Sequence, residues 1–472
     1  MPNTIAYAAL LAWPLICISL FLKIHPARAL IWTILGGYLL LPVDTGFKFS
    51  GVPLFDKSSI PNIVALICCI VFARERWRLF PRDGVVVTLY IAFLCTPFLT
   101  SLNNSAPIVR ETGVIPAMTS YDALAQAGAN LITLIPFLLG YAFFKEEKRR
   151  RWLVQALLMA GLAYSILMLI EVRLSPQLHF WVYGFFPSSF AQQMRGGGFR
   201  PAVFLGHGLL VATFCAMALI AAIAMWRQRT MTWRMPPLLP VAYLGVLLVL
   251  CKSAGALVLA TLIGGAMAFL KPGRVAFIAC LLCALVLIYP LPRALGLIPV
   301  TTISNITGSF SNDRQGSFQT RVTNENFLLE RSSQKPIFGW GTWGRNRTAF
   351  EDTGIETLTD GTWIISLGTW GWAGYFAMFG LLSIAGLRGL TRSRDLNDIS
   401  ITDAALFAIL AINMLDLIPN SSLRPLTWLI AGALCCVRPI KRGGRVIGNT
   451  ARQDAIRINP ALVGLKNRDI LQ

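Results

Sequence analysis

Basic side chains at the ends of apolar segments are the residues of this sequence best suited to chemistry. Arg195 and Arg200 flank three consecutive glycines, which let a backbone approach a ligand closely. Two guanidinium groups can then bind one phosphate through paired donors, although the same arginines could simply reach lipid headgroups. Lys252 lies in a very tight turn between two apolar runs, where a charge is costly enough to indicate a function.

One segment places a further arginine near a carboxylate. Residues 317–331 contain neither Pro nor Gly, so they are predicted to form a helix. Arg321 and Glu325 then lie four residues apart on one face, where a solvated ion pair is the ordinary alternative to a functional role. Glu325 and Asp360 are the carboxylates best placed to take a proton from a hydroxyl group. Asp360 could also cap the helix that follows it.

Aromatic and imidazole side chains occur beside these charges. Trp340 and Trp343 lie in a glycine-rich turn, and Trp363 opens the next apolar run. Their indole rings could stack on sugar faces or anchor the chain at a membrane surface. The three histidines form no H-E-x-x-H motif and there is no carboxylate-rich cation motif, so we predict a mechanism without metal or cofactor. His207 is expected about two turns into a helix, as a core histidine.

These residue types together suit a lipid-linked diphosphate substrate. Transfer of a sugar from a polyprenyl diphosphate leaves negative charge on the departing group, and fixed cations can neutralise that charge without a divalent ion. The acceptor hydroxyl then needs at most one base. The candidate diphosphate ligands are Arg195, Arg200, Lys252 and Arg321.

The elements that must position these residues are membrane-spanning helices. The chain has 472 residues, of which 55% are hydrophobic and 14% are charged, whereas soluble domains have roughly 45–50% and about 25%. The mean hydropathy is +0.61. Repeated apolar runs of about 20 residues, the length that spans a bilayer core, exclude a soluble enzyme and a secreted protein behind a cleaved signal. The predicted spans are 5–22, 28–43, 60–73, 84–102, 122–144, 153–171, 201–226, 236–251, 255–270, 275–292, 361–386, 401–418 and 425–437.

The distribution of charge predicts the topology. The formal net charge of +20 would suggest a nucleic-acid partner in a soluble protein. Here most cations fall in alternate short loops, so the positive-inside rule places those loops in the cytoplasm and argues against nucleic acid. All ten cysteines lie in or at the ends of apolar runs, so no disulfide framework is predicted. The cation-rich segments are 23–28, 74–82, 145–151, 227–234, 271–274, 388–394 and the tail from residue 438.

These patterns predict an all-α, polytopic integral membrane protein with about 12–14 transmembrane helices. Residues 1–292 form a membrane domain of ten helices, and residues 293–360 form a large external loop with short helices of its own. Residues 361–437 hold the last three transmembrane helices. The basic tail, residues 438–472, is expected in the cytoplasm, against anionic lipid or without fixed structure.

Five short motifs surround the large external loop. They are Arg195-Gly-Gly-Gly-Phe199; Cys251-Lys-Ser-Ala-Gly-Ala256; Arg321 at the opening of an amphipathic helix; Pro336-Ile-Phe-Gly-Trp-Gly341; and Thr359-Asp-Gly-Thr-Trp-Ile364 followed by Gly371-Trp-Ala-Gly374. Their order and spacing, over about residues 190–385, resemble the O-antigen ligase and O-antigen (Wzy-type) polymerase superfamily of bacterial inner-membrane glycan enzymes. In the second motif, Lys252 takes the place of the arginine in the family.

The resemblance implies a GT-C-like helical membrane fold, related to other lipid-phosphosugar glycosyltransferases, with a periplasmic active site. It also implies undecaprenyl diphosphate as the carrier and metal-independent transfer with inversion at the anomeric carbon. Ligases of the family have a His-Asn pair where this chain has Asp360-Gly361. This difference favours a polymerase of exopolysaccharide repeat units over a ligase that transfers finished glycan to another acceptor. It leaves the base open between Asp360 and Glu325.

The predicted function is therefore that of a polysaccharide polymerase in the bacterial inner membrane. Arg195 and Arg321 would bind the diphosphate and Arg200 would assist. The expected partners are an undecaprenyl-diphosphate-linked oligosaccharide, membrane lipids and other polysaccharide-assembly proteins. A flippase or exporter of the lipid-linked unit, or a scaffold for a synthase complex, is the alternative from another class. Few charges lie within the spans and no internally repeated halves are visible, which argues against a transporter.

Overall fold

Each predicted apolar run corresponds to a helix in the computed structural model. The structure describes residues 1–49, 52–75, 77–110, 113–195, 197–231, 235–300, 302, 304, 312–348, 356–357, 360–391 and 398–437. The predicted tail from residue 438 and Thr359 lie outside these described residues. The helices are α1 (Thr4–Lys23), α2 (Pro26–Leu40), α3 (Ser59–Phe72), α4 (Gly84–Leu102), α5 (Ser120–Phe143), α6 (Glu147–Leu174), α7 (Leu178–Tyr183), α8 (Gly208–Arg227), α9 (Leu238–Leu250), α10 (Ala254–Phe269), α11 (Pro272–Ile288), α12 (Pro290–Ala294), α13 (Asn312–Ser333), α14 (Thr362–Thr391), α15 (Ile401–Asp416) and α16 (Pro425–Leu434).

The β-strands of the described residues pair in short antiparallel hairpins. They connect helices at one end of the bundle and pair β1 (Gly46–Phe47) with β2 (Phe55–Asp56), β3 (Ile108–Arg110) with β4 (Gly113–Ile115), and β5 (Met194–Arg195) with β6 (Gly198–Phe199). The protein is therefore mostly helical, as predicted. The helix predicted over residues 317–331 is present within α13.

The membrane-embedded character is confirmed by the lengths of the helices. In the described part of the chain, six helices are long and apolar enough to cross a membrane: α1, α4, α5, α6, α8 and α14. Six shorter apolar helices of 10–17 residues coincide with other predicted spans: α2, α3, α9, α10, α11 and α16. Helix α8 lies at the centre, with 89% of its most apolar stretch buried inside the protein, and it packs against α6, α9, α10 and α15.

The predicted start of the span at 201–226 is wrong. Val203–Leu205 form a 3-10 turn, and α8 begins at Gly208 with His207 as its N-cap. The turn is stable because the buried carboxylate of Glu171 accepts two backbone N–H bonds at 2.7 Å where the turn begins. A side chain from α6 thus satisfies the backbone N–H groups that precede α8. His207 consequently lies at a helix end and not two turns inside a helix.

Polar contacts between loops divide the bundle into two ends. At one end, loops predicted to be cytoplasmic meet through the ion pairs Arg149–Glu75, Arg150–Asp403 and Arg388–Asp83. At the other end, loops predicted to be external meet through hydrogen bonds from Lys57 to Phe204 O, from Asn104 to Gly339 O and from Lys252 to Arg195 O. The alternation that the charge pattern predicts therefore agrees with which loops contact each other.

Helix α14 is broken at Gly371, and the glycine-tryptophan turn fills the break. Gly371 has φ +62° and ψ −167°, a conformation available essentially to glycine alone. Backbone N–H groups of Trp340 and Gly341 donate to α14 carbonyls at 2.9 Å, and Trp372 N donates to Pro336 O at 2.8 Å. The two motifs, which are distant in sequence, therefore form one unit that fixes the end of α13 against α14.

Candidate functional site

A cavity of about 590 Å³ opens where the predicted external loops converge. We call it the arginine cavity, since four arginines line it: Arg195, Arg200, Arg321 and Arg424. They come from the β5–β6 hairpin, the segment before α8, helix α13 and the start of α16. The remaining lining residues are Gln192, His207, Leu209, Leu210, Thr320, Asp360, Asn420, Ser421 and Ser422. The structure therefore brings together Arg195, Arg200, Arg321 and Asp360 from the predicted site.

The β5–β6 hairpin positions the first two arginines. Arg195 pairs with Gly198 in the hairpin register, and its carbonyl accepts a hydrogen bond from Lys252 Nζ at 2.9 Å. The backbone N–H of Arg200 donates to Gln193 O at 2.8 Å. Lys252, which lies between α9 and α10, is absent from the cavity lining and contacts the hairpin through this hydrogen bond. The structure thus places Lys252 as a support for Arg195.

Arg200 is a buried cation that lines the arginine cavity. Its side chain is 5% exposed, and neither Nε nor Nη2 has a hydrogen-bond partner among the described residues. Burial, followed by the positive charges of Arg195 and Arg321, lowers the pKa of Arg200 to about 10. A buried guanidinium group is costly unless an anion pairs with it. A negatively charged ligand in the cavity would offset part of this cost.

Arg321 and Asp360 form an ion pair at the opposite wall. Arg321 Nε lies 3.3 Å from Asp360 Oδ2, and the two side chains are 34% and 49% exposed. Exposed pairs of this kind contribute little to stability, since water screens both charges. Both groups therefore remain available to exchange their mutual contact for contact with a ligand.

Glu325 lies outside the cavity lining, although α13 carries it one turn after Arg321. Its Oε2 is 3.2 Å from Arg293 Nε, and the two side chains are 15% and 8% exposed. Arg293 also donates to Asn326 Oδ1 at 2.7 Å. Burial raises the pKa of Glu325, and the charge of Arg293 opposes this effect. The geometry describes a clamp that holds α12 against α13, and it removes Glu325 from contact with a ligand in the cavity.

The three tryptophans lie in different environments. The Trp340 ring packs under the Arg331 guanidinium, 3.3 Å from its Cζ to the ring centroid, and Nε1 donates to Arg331 O at 2.6 Å. Trp343 is 64% exposed, and its Nε1 contacts Asp122 Oδ1 at 3.3 Å. Trp363 is completely buried against Tyr289, so it presents no ring face to a sugar. None of the three lines the arginine cavity.

Two parts of the site were missed by the sequence predictions. The first is the connection between α15 and α16, which contributes Asn420, Ser421, Ser422 and Arg424 to the cavity. Asn420 O accepts hydrogen bonds from Thr362 N at 3.2 Å and Thr362 Oγ1 at 3.0 Å, which fixes this connection beside Asp360. A short polar run ending in an arginine between two apolar spans was the available signal. The second is His207, which was predicted to be a core histidine but is partly exposed and lines the cavity.

The arrangement is suited to binding a polyvalent anion next to one carboxylate. Among the described lining residues, four carry guanidinium groups and one carries a carboxylate, and the others include amide and hydroxyl side chains. The residues described contain no group of three or more His, Cys, Asp or Glu side chains that could hold a metal ion. No protein-family model matches the chain, and no curated protein matches it either.

Proposed function

We propose that this protein is a membrane glycosyltransferase that polymerises a polysaccharide. It transfers a growing glycan from undecaprenyl diphosphate onto a lipid-linked repeat unit at the periplasmic face of a bacterial inner membrane. The observation that carries the proposal is Arg200, a buried guanidinium with unpaired donors in a cavity lined by three further arginines. The resemblance of the five sequence motifs to glycan polymerases of this type supports the same substrate class.

The arginines account for stabilisation of the leaving group. As the bond between the anomeric carbon and the diphosphate oxygen breaks, the electron pair stays on that oxygen and negative charge develops there. Fixed cations that already surround this position stabilise the charge without reorganising. Arg195, Arg200, Arg321 and Arg424 would bind the diphosphate, since all four line the same cavity.

Asp360 is the base in this proposal. The acceptor hydroxyl oxygen forms the new bond to the anomeric carbon, and its proton passes to Asp360, the one carboxylate among the described residues that line the cavity. The ion pair with Arg321 holds the Asp360 carboxylate at the cavity lining. Glu325, the other candidate, is held by Arg293 outside the lining.

The direct test is elongation of a synthetic lipid-linked repeat unit by the purified protein in lipid nanodiscs, without ATP. We expect Arg321→Ala and Asp360→Asn to fold and lose elongation, because each removes a group that contacts the reacting atoms. Loss of one stabilising donor lowers turnover about 10²–10³-fold in comparable sites. Glu325→Gln should retain elongation. Normal polymer from Arg321→Ala, or an inactive Glu325→Gln beside an active Asp360→Asn, would contradict the assignment of these roles.

A cellular measurement separates the proposal from its alternatives. Lipid-linked glycans from cells lacking the protein are resolved by mass, and the leaflet that holds them is determined. Single repeat units accumulating on the outer face support a polymerase. Long polymer stranded on its lipid carrier would instead indicate a ligase, and units confined to the inner face would indicate a flippase or exporter.

A further inference from the structure

His207 combines a place in the arginine cavity with a fixed ring orientation. It is the N-cap of α8, and its Nδ1 accepts a hydrogen bond from the backbone N–H of Leu209 at 3.1 Å. A ring nitrogen that accepts a hydrogen bond carries no proton, so a neutral imidazole must carry its proton on Nε2. The helix end therefore selects one tautomer of His207.

The charges that face His207 disfavour a cationic ring. Arg195, Arg200, Arg321 and Arg424 line the same cavity, and in the part of the chain that the structure describes Asp360 is the one carboxylate that lines it. Burial, followed by Arg200 and Arg321, lowers the pKa of His207 to about 4, against an opposing effect of Asp360. The positive end of the α8 dipole acts in the same direction as the arginines.

We infer that His207 is a neutral hydrogen-bond donor to the substrate, acting through Nε2–H. The inference rests on the proposed function and adds a substrate-binding residue to it. A general base must present an unprotonated nitrogen to the acceptor hydroxyl, and the unprotonated Nδ1 of His207 is occupied by Leu209 N–H. Nε2–H can instead donate to an oxygen of the diphosphate as charge develops there.

The step balances without any change in the protonation of His207. The diphosphate oxygen leaves with the electron pair of the broken bond, and Nε2–H donates a hydrogen bond to the diphosphate without transferring its proton. The proton of the acceptor hydroxyl goes to Asp360. A neutral donor adds directional binding to a cavity whose four arginines already supply positive charge.

The tautomer can be measured independently of catalysis. The chain contains three histidines, His25, His179 and His207, so the ¹⁵N imidazole signals of labelled protein in nanodiscs are few. His207→Gln identifies the signals that belong to His207. We expect the neutral Nε2–H form throughout pH 5–8 and a change in the Nε2 signal on adding inorganic pyrophosphate. A cationic ring in that pH range, the Nδ1–H tautomer, or no response to pyrophosphate would overturn the inference.

Elongation assays test the consequence for turnover. His207→Ala should reduce turnover about 10²-fold, by analogy with the loss of one donor to a developing oxyanion. His207→Gln should retain more activity, since its side-chain amide can still donate. His25→Gln is the matched control: His25 also caps a helix through Nδ1, but it contacts Glu75 at the other end of the bundle.

The pH dependence of these variants distinguishes a donor from a base. We expect wild type and His207→Gln to have the same shape of pH–rate profile between pH 5.5 and 8. If the wild-type pH–rate profile has a limb near pH 6–7 and the residual activity of His207→Gln lacks it, His207 is a base and the inference is overturned. If wild type elongates nothing, the proposed function fails, and the ¹⁵N measurement still decides whether His207 is the neutral donor to pyrophosphate.

Discussion

Replacing Arg200 with methionine should raise stability while abolishing activity. The side chain is 5% exposed, and its Nε and Nη2 atoms have no partner in the described part of the chain. Lowering of its pKa from 12.5 to about 10 corresponds to roughly 3 kcal/mol, at about 1.4 kcal/mol for each pKa unit. At neutral pH the group is charged in both the folded and the unfolded protein, so this cost is fully present.

The expected gain in unfolding free energy for Arg200→Met is on the order of 1–3 kcal/mol, because methionine has no charge to desolvate. Thermal unfolding in nanodiscs measures the sign of the change. Inorganic pyrophosphate should stabilise wild type by about 2.7 kcal/mol at one hundred times its Kd and should stabilise the variant much less. Elongation should fall at least about 10²-fold, as for other lost anion donors.

Arg345→Met is the matched control. Arg345 is also buried, at 1% exposure, but its guanidinium donates to the carbonyls of Trp340, Pro116 and Ala106 at 2.6–3.2 Å. Removing it leaves three acceptors unpaired, so this variant should be clearly less stable than wild type. If Arg200→Met is destabilised as much as Arg345→Met, Arg200 is a structural residue and the reasoning is refuted.

Substitutions at three other positions test the structure around the site. Glu171→Ala leaves three backbone N–H groups, two of them buried, without their acceptor and should lower the free energy of unfolding by about 3 kcal/mol or more, whereas Glu171→Gln should cost less, as measured by thermal unfolding. Gly371→Ala requires a conformation essentially limited to glycine and brings its Cβ onto Ile337 O. The free energy of unfolding should therefore fall by about 1–3 kcal/mol from the backbone alone, and the melting temperature should fall with it. An unchanged melting temperature would contradict the observed break. Burial raises the pKa of Glu325 above 4.5, so the folded protein holds that proton more tightly than the unfolded chain, and stability should fall as pH rises from 4.5 through the raised pKa. Glu325→Gln should remove this part of the pH dependence, and an identical profile in wild type and variant would show that the ion pair fully offsets burial.

The positions of the helices follow from local sequence. A bilayer core about 30 Å thick requires about 20 apolar residues in a row, so each span can be recognised without knowledge of its neighbours. The charge pattern likewise predicts which loops lie together, and the contacts at the two ends of the bundle agree with it. Even the part of helix α13 over residues 317–331 was predictable, since the absence of Pro and Gly there is a local property.

The contents of the cavity depend on packing between distant elements. Arg321 and Glu325 lie one turn apart on α13. Arg321 nevertheless pairs with Asp360 at the cavity, whereas Glu325 pairs with Arg293 outside the cavity lining. The Trp363 ring was a candidate for stacking on a sugar, but it is completely buried and packs against Tyr289. No local pattern states which remote side chain will approach a given residue.

The start of α8 shows the same division most clearly. Hydropathy alone predicts a helix from residue 201, because every residue there is compatible with an apolar run. Glu171, thirty residues earlier in the chain, instead binds the backbone N–H groups of Ala202 and Val203 and delays the helix to Gly208. The sequence therefore determined that these segments are helices. The tertiary structure decided where α8 begins and so placed His207 in the cavity, because buried backbone groups bind whichever partner the fold supplies.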